Sequence, residues 1–242
     1  MIRPNEGTDM GTDTGTHAGT DTHIARALRA LEHHDPSVRL RATLAVGTSP
    51  APGFVGKLVE RCAIEPDFSV REMLTWALTR HAASVTVPLL LGEAGSPRAQ
   101  ARSQALHTLS KIGDRRAWPV FTPALLADAD DEVARTAWRA AVALVPEGAE
   151  PGLAVMLAAQ LGRGERETQL SLSRALIALG EAALPTLTAA TTDLDPRVRS
   201  HALATERLWH DPDAGFESAI EEAKRAAALA GAPGGTVGSV DR

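Results

Sequence analysis

The densest run of metal-type ligands in this 242-residue chain is Glu32-His33-His34-Asp35, whose imidazole and carboxylate donors together suit a first-row transition metal. Consecutive residues on a helix point in different directions, so the four would not converge on one ion. The run reads better as the end of one helix and the capped start of the next. The only cysteine, Cys62, excludes an intramolecular disulfide and a cysteine-built zinc site. It follows Arg61, a neighbour that favours thiolate, but it sits in an apolar stretch where a buried, inert thiol is expected. The sequence contains no G-x-S-x-G, G-x-x-x-x-G-K-[ST], H-E-x-x-H or G-x-G-x-x-G. The reading is therefore non-enzymatic, with no catalytic residue, no metal and no cofactor.

A second set of side chains offers recognition chemistry. Glu72, Trp76 and Arg80 fall on one helical face, followed down the chain by His107 and Lys111, by Arg135, Trp138 and Arg139, by Arg174, and by Arg207. Arginine interleaved with tryptophan is the composition of a binding hot spot. The competing reading has the tryptophans filling gaps between packed helices and the arginines solvated or paired with nearby acids.

What positions these residues is a repeat. Asp35-Pro36-Ser37-Val38-Arg39, Asp67-Phe68-Ser69-Val70-Arg71, Asp130-Asp131-Glu132-Val133 and Asp195-Pro196-Arg197-Val198-Arg199 share an acid, then a valine three positions on, usually followed by arginine. Degenerate copies, Arg98-Ala99-Gln100-Ala101-Arg102 and Glu165-Arg166-Glu167-Thr168-Gln169, complete six anchors spaced 30 to 35 residues apart. After each anchor, small or apolar residues recur at +4 (Ala42, Leu74, Ala105, Ala137, Leu172, Ala202) and mostly again at +7 and +8, the spacing of one helix face. The acid at −3 is expected to cap that helix, and proline beside it suits the first helical position. Before each anchor an apolar segment predicts a first helix, at 24–32, 54–64, 85–91, 118–127, 153–161 and 182–190. Gly113 and Gly180 mark helix ends. The remaining face of the second helices, at +2, +5, +6, +9 and +10, carries the hot-spot residues.

Leu184-Pro185-Thr186-Leu187, followed by Asp193-Leu194-Asp195-Pro196-Arg197-Val198-Arg199 and Ala202, resembles a HEAT repeat. The resemblance runs from residue 23 to about 210, close in the first, second, fourth and sixth units and loose in the third and fifth. It implies an all-α protein: an α-solenoid, or α-α superhelix, of about six HEAT-like hairpins, with the second helices lining a concave side. An amphipathic segment at 216–229 would close the array as a capping helix. The domain organisation expected is a disordered Gly/Thr/Asp-rich tail over 1–22, repeats over 23–230, and a disordered tail over 231–242.

Such a fold predicts a scaffold or regulatory adaptor that holds a protein partner on the concave strip. Some HEAT-like bacterial proteins are DNA glycosylases, which makes nucleic acid the second class of partner. A duplex-binding groove would bring a basic domain, whereas the net charge here is −5 and the isoelectric point about 5.9. Some repeat proteins of this class are iron hydroxylases with His-Glu pairs, a dipeptide this sequence lacks. A bilin-lyase-like enzyme is a third class, supported by the fold alone. The run from Asp67 to His81 is similar to HEAT-type segments of actinobacterial regulators of the MerR type, which implies a sensing or partner-binding role. Of 25 basic residues 22 are arginine, as expected of a GC-rich bacterial genome. No apolar stretch reaches the roughly 20 residues that cross a bilayer, and no signal-peptide segment stands at the start, so the expected location is cytoplasmic.

Overall fold

The computed structural model describes residues 24–212, 215, 220–221 and 223–225; the tails expected at 1–22 and 231–242, and most of the 216–229 segment, lie outside these. Every regular element among the described residues is helical, and no helix there is long and apolar enough by itself to cross a membrane. The chain forms two compact units that divide between Leu89 and Leu90. The fold is an all-α solenoid of helical hairpins.

In the first unit, α1 (24–31), α2 (Pro36–Thr48), α3 (Val55–Cys62) and α4 (Phe68–Arg80) alternate as first and second helices of successive hairpins, and α5 (Ala83–Glu93) begins the next. The second helices α2 and α4 pack side by side. Their starts follow directly from the repeat: Asp35 accepts the Ser37 N–H at 2.8 Å and Asp67 the Val70 N–H at 3.0 Å.

The second unit contains the end of α5 and then α6 (Ala99–Ile112), α7 (Pro123–Leu126), α8 (Asp131–Leu144), α9 (Glu150–Ala158), α10 (Arg166–Ala178), α11 (Leu184–Ala190) and α12 (Pro196–His210). Here α6 packs on α8, α8 on α10, and α10 on α12. Asp130 caps α8 through the Glu132 and Val133 N–H groups, and Asp195 caps α12 through Arg197. The two degenerate anchors lack this: neither Arg98 nor Glu165 makes a side-chain cap. Gly113 adopts φ +74° as the left-handed C-cap of α6, a conformation only glycine takes without strain.

All six +4 residues are buried, as the helical spacing requires. The 118–127 segment departs from its expectation of a single helix. It is a 3-10 turn over Arg115–Val120 followed by the short α7, which Thr122 caps and Pro123 opens. Pro119 and Pro123 cannot donate backbone hydrogen bonds, so a continuous α-helix would lose two rungs there. Beyond α12, residues 220–221 and 223–225 are the described part of the expected closing helix; they are helical, and Ile220 and Ala223 pack with Ala204 and Leu208.

Candidate functional site

The arginine that follows most anchor valines has a task the spacing alone did not reveal. Arg39 Nη1 donates to the His33 and His34 carbonyls, Arg71 Nη1 to Glu65 and Pro66, Arg102 Nη1 to Ser96, and Arg199 Nη1 to Asp193 and Leu194. Each guanidinium therefore satisfies carbonyls five or six residues back, where the preceding loop turns into its own helix. Two of these arginines also reach the next repeat. Arg39 makes a two-pronged pair with Glu65 (2.6 and 2.7 Å), and Arg102 an equivalent pair with Asp128 (2.8 and 2.9 Å). Glu65 is fully buried and also accepts from Arg61 and from the Asp67 N–H. Burial alone would raise its pKa, but these hydrogen bonds outweigh burial and hold it at about 2. These charges are structural.

The Glu32-His33-His34-Asp35 run is likewise divided among separate partners. Glu32 pairs with Lys57 at 2.5 Å, His33 Nδ1 accepts the Asp35 N–H at 3.1 Å, and Asp35 caps α2. Burial pushes the Cys62 thiol up to about 12, so it stays protonated.

The recognition residues separate by position. Trp138 is a correction: it is fully buried, and its Nε1–H donates to the Leu126 carbonyl at 2.8 Å. The Arg163 guanidinium lies 6.0 Å from its ring centroid. Trp138 sits at +5 from its anchor, and so do Thr43, Thr75, Leu106 and Ser173, all of them buried. The +5 position belongs to the core because a second helix is covered on two sides, by its own first helix and by the neighbouring second helix. The open face is correspondingly narrower than an amphipathic pattern predicts.

In the first unit, Glu72, Trp76 and Arg80 are on the surface of α4. Trp76 also fills space: a Cβ added to Gly47 of α2 would come within 2.3 Å of the indole ring. Its 37% exposure is that of a packed ring with one open edge. Arg80 stands beside an apolar pocket of about 160 Å³ formed with Pro50, Pro52, Val55, His81 and Val85.

In the second unit the structure brings Arg135, Arg139 and Arg174 onto one basin of about 250 Å³, together with Glu132, Glu167, Leu170 and Ser171. Glu132, Arg135 and Arg139 are spaced i, i+3, i+7 on α8, and Glu167, Ser171 and Arg174 are spaced i, i+4, i+7 on α10; each trio therefore shares one face. Arg135 is held across the gap between Glu132 and Glu167, the latter at 2.9 Å. Burial works against its charge, but the two carboxylates prevail and raise its pKa. Arg139 donates to Thr136 Oγ1 at 3.0 Å and stays 3.8 Å from Glu132. Arg174 and the Ser171 hydroxyl have no hydrogen-bond partner among the described residues. His107, Lys111 and Arg207 lie on the same unit but outside this basin. The sequence signal for the basin was the paired Glu-x-x-Arg-x-x-x-Arg and Glu-x-x-x-Ser-x-x-Arg spacing, in which the acids are as informative as the arginines.

Residues 55–143 match the family model for HEAT repeats. That stretch runs from the start of α3 nearly to the end of α8 and carries the second, third and fourth anchors. No curated protein matches the chain by sequence. Among solved structures, an engineered protein is similar at 18% identity and TM-score 0.43, over 84% of this chain and 98% of that one. Human deoxyhypusine hydroxylase in complex with glycerol is similar at 18% identity and TM-score 0.44, over 88% of this chain and 97% of the other. At those scores neither likeness bears on function.

Proposed function

We propose that the chain is a non-catalytic HEAT-repeat scaffold or adaptor that captures a protein partner on the open face of its second helices, with the α8–α10 basin as the principal contact. The observation that supports this reading is the convergence of Arg135, Arg139 and Arg174 on one basin, with Arg174 left without a partner among the described residues. A guanidinium fork matches carboxylate geometry, and surface arginines with unused donors are favoured anchors of protein interfaces.

The experiment is capture of the partner from the native host by the full chain, compared with Arg139→Glu and Arg174→Glu. Both side chains are exposed, so capture is expected to fail while helicity is retained and stability stays within about 0.5 kcal/mol of the parent's. Undiminished capture by both variants would refute the assignment of the basin. Nucleic acid remains the alternative ligand class. It would show a steep loss of affinity with salt through counterion release, and a negatively charged chain is a poor starting point for it.

A further inference from the structure

Resting on that reading, we infer that the basin between α8 and α10 recognises a side-chain carboxylate of an acidic, unphosphorylated peptide segment, and that its two glutamates tune it against phosphate. The donors that remain available are the Arg174 guanidinium, the N–H groups of Arg139 not used by Thr136, and the Ser171 hydroxyl. Together they offer a monoanion two charged forks and one neutral hydroxyl. The half-buried Leu170 lines the same basin and gives the methylenes of a glutamate an apolar surface to lie on.

Charge count sets the preference. Three arginines and two glutamates line the basin, and Arg135 is already spanned by Glu132 and Glu167. The lining therefore carries one net positive charge, which a single carboxylate balances. A phosphoryl group brings close to two negative charges at neutral pH, which would leave the basin with a net negative charge and set the extra charge against Glu132 and Glu167. The same like-charge repulsion disfavours the phosphate row of a nucleic acid. The glutamates thus do two things: they hold Arg135 in place, and they lower the anion charge that the basin accepts.

The test is fluorescence anisotropy on the full chain at low salt. The probes are labelled nonapeptides of one frame carrying three glutamates, three phosphoserines or three glutamines, and a labelled short DNA duplex. The glutamate peptide is expected to bind about ten-fold tighter than the glutamine peptide and about three-fold tighter than the phosphoserine peptide. Arg174→Glu and Arg139→Glu should each weaken the glutamate peptide about ten-fold, and Arg174→Lys should retain most of the binding, because a cation is kept. In the Glu132→Gln/Glu167→Gln double variant the order should reverse in favour of phosphoserine, since Arg135 is released and the repulsion removed. Tighter binding of phosphopeptide or duplex to the parent, or an unchanged order in the double variant, overturns the inference. If the arginine variants lose the host partner while the glutamate peptide fails to bind the parent, carboxylate recognition is wrong and the scaffold reading stands. If the peptide series behaves as expected while the arginine variants still capture the host partner, the basin is not where that partner docks and the carboxylate site stands.

Discussion

Acid should destabilise the second unit through a single buried histidine. His201 is fully buried at α12, where its Nδ1 accepts the Gly162 N–H at 3.0 Å and its Nε2 lies 3.0 Å from both the Gln169 carbonyl and Ser173 Oγ. An Nδ1 that accepts cannot also hold a proton, so the ring is the neutral Nε2–H tautomer. Burial, only partly offset by the Gln169 carbonyl, pushes its pKa down to about 4 from an ordinary 6.5. The folded pKa is thus below the unfolded one, and between the two values the unfolded chain binds the extra proton. Stability is therefore complete above pH 6.5 and falls as pH drops toward 4. For a group this buried the linkage comes to about 2 kcal/mol between about pH 7 and pH 5, of order a factor of thirty in the unfolding constant.

The assay is urea unfolding followed by far-ultraviolet circular dichroism at closely spaced pH values, for the parent and for His201→Asn. Asparagine places an acceptor where Nδ1 stands but does not titrate, so the variant should start less stable and show a flatter pH response by that amount. Equal slopes in parent and variant would refute the reasoning, because the remaining histidines are common to both. Glu65 acts in a separate window, since its stabilisation is lost only as pH falls from about 4.5 to about 2.

Glu65→Gln should leave the Arg39 guanidinium buried without its counter-charge and cost about 3 kcal/mol in urea unfolding at neutral pH, while removing the acid limb below about pH 4.5. Gly47→Ala should destabilise by about 1–3 kcal/mol because its methyl would overlap the Trp76 ring, and should cost far less in a Trp76→Leu background. A double-mutant cycle by thermal melting checks that coupling. Trp138→Phe removes the pyrrole part of a fully buried ring together with the donor to the Leu126 carbonyl, so a loss of about 2–3 kcal/mol is expected in the same measurement. A surface tryptophan at that position would show no change.

Local rules made the repeat legible in the sequence. An aspartate three residues before a valine must satisfy helix N–H groups wherever it occurs, and apolar residues at +4, +7 and +8 share a face by helical geometry alone; all four aspartate caps and all six +4 residues obey. What the sequence left open was how much of each second helix its neighbours cover. Trp138 at +5 and Trp76 at +6 differ by one position, about 100° around the axis, and that step separates full burial from an open edge. Packing between repeats, at contacts 26 to 39 residues apart, likewise paired Arg39 with Glu65, Arg102 with Asp128 and His201 with Gly162. It also chose Arg135, Arg139 and Arg174 out of a longer list and left His107, Lys111 and Arg207 apart. Periodicity along one helix orients a side chain, but only the neighbouring helix decides whether water, a counter-charge or an apolar wall meets it.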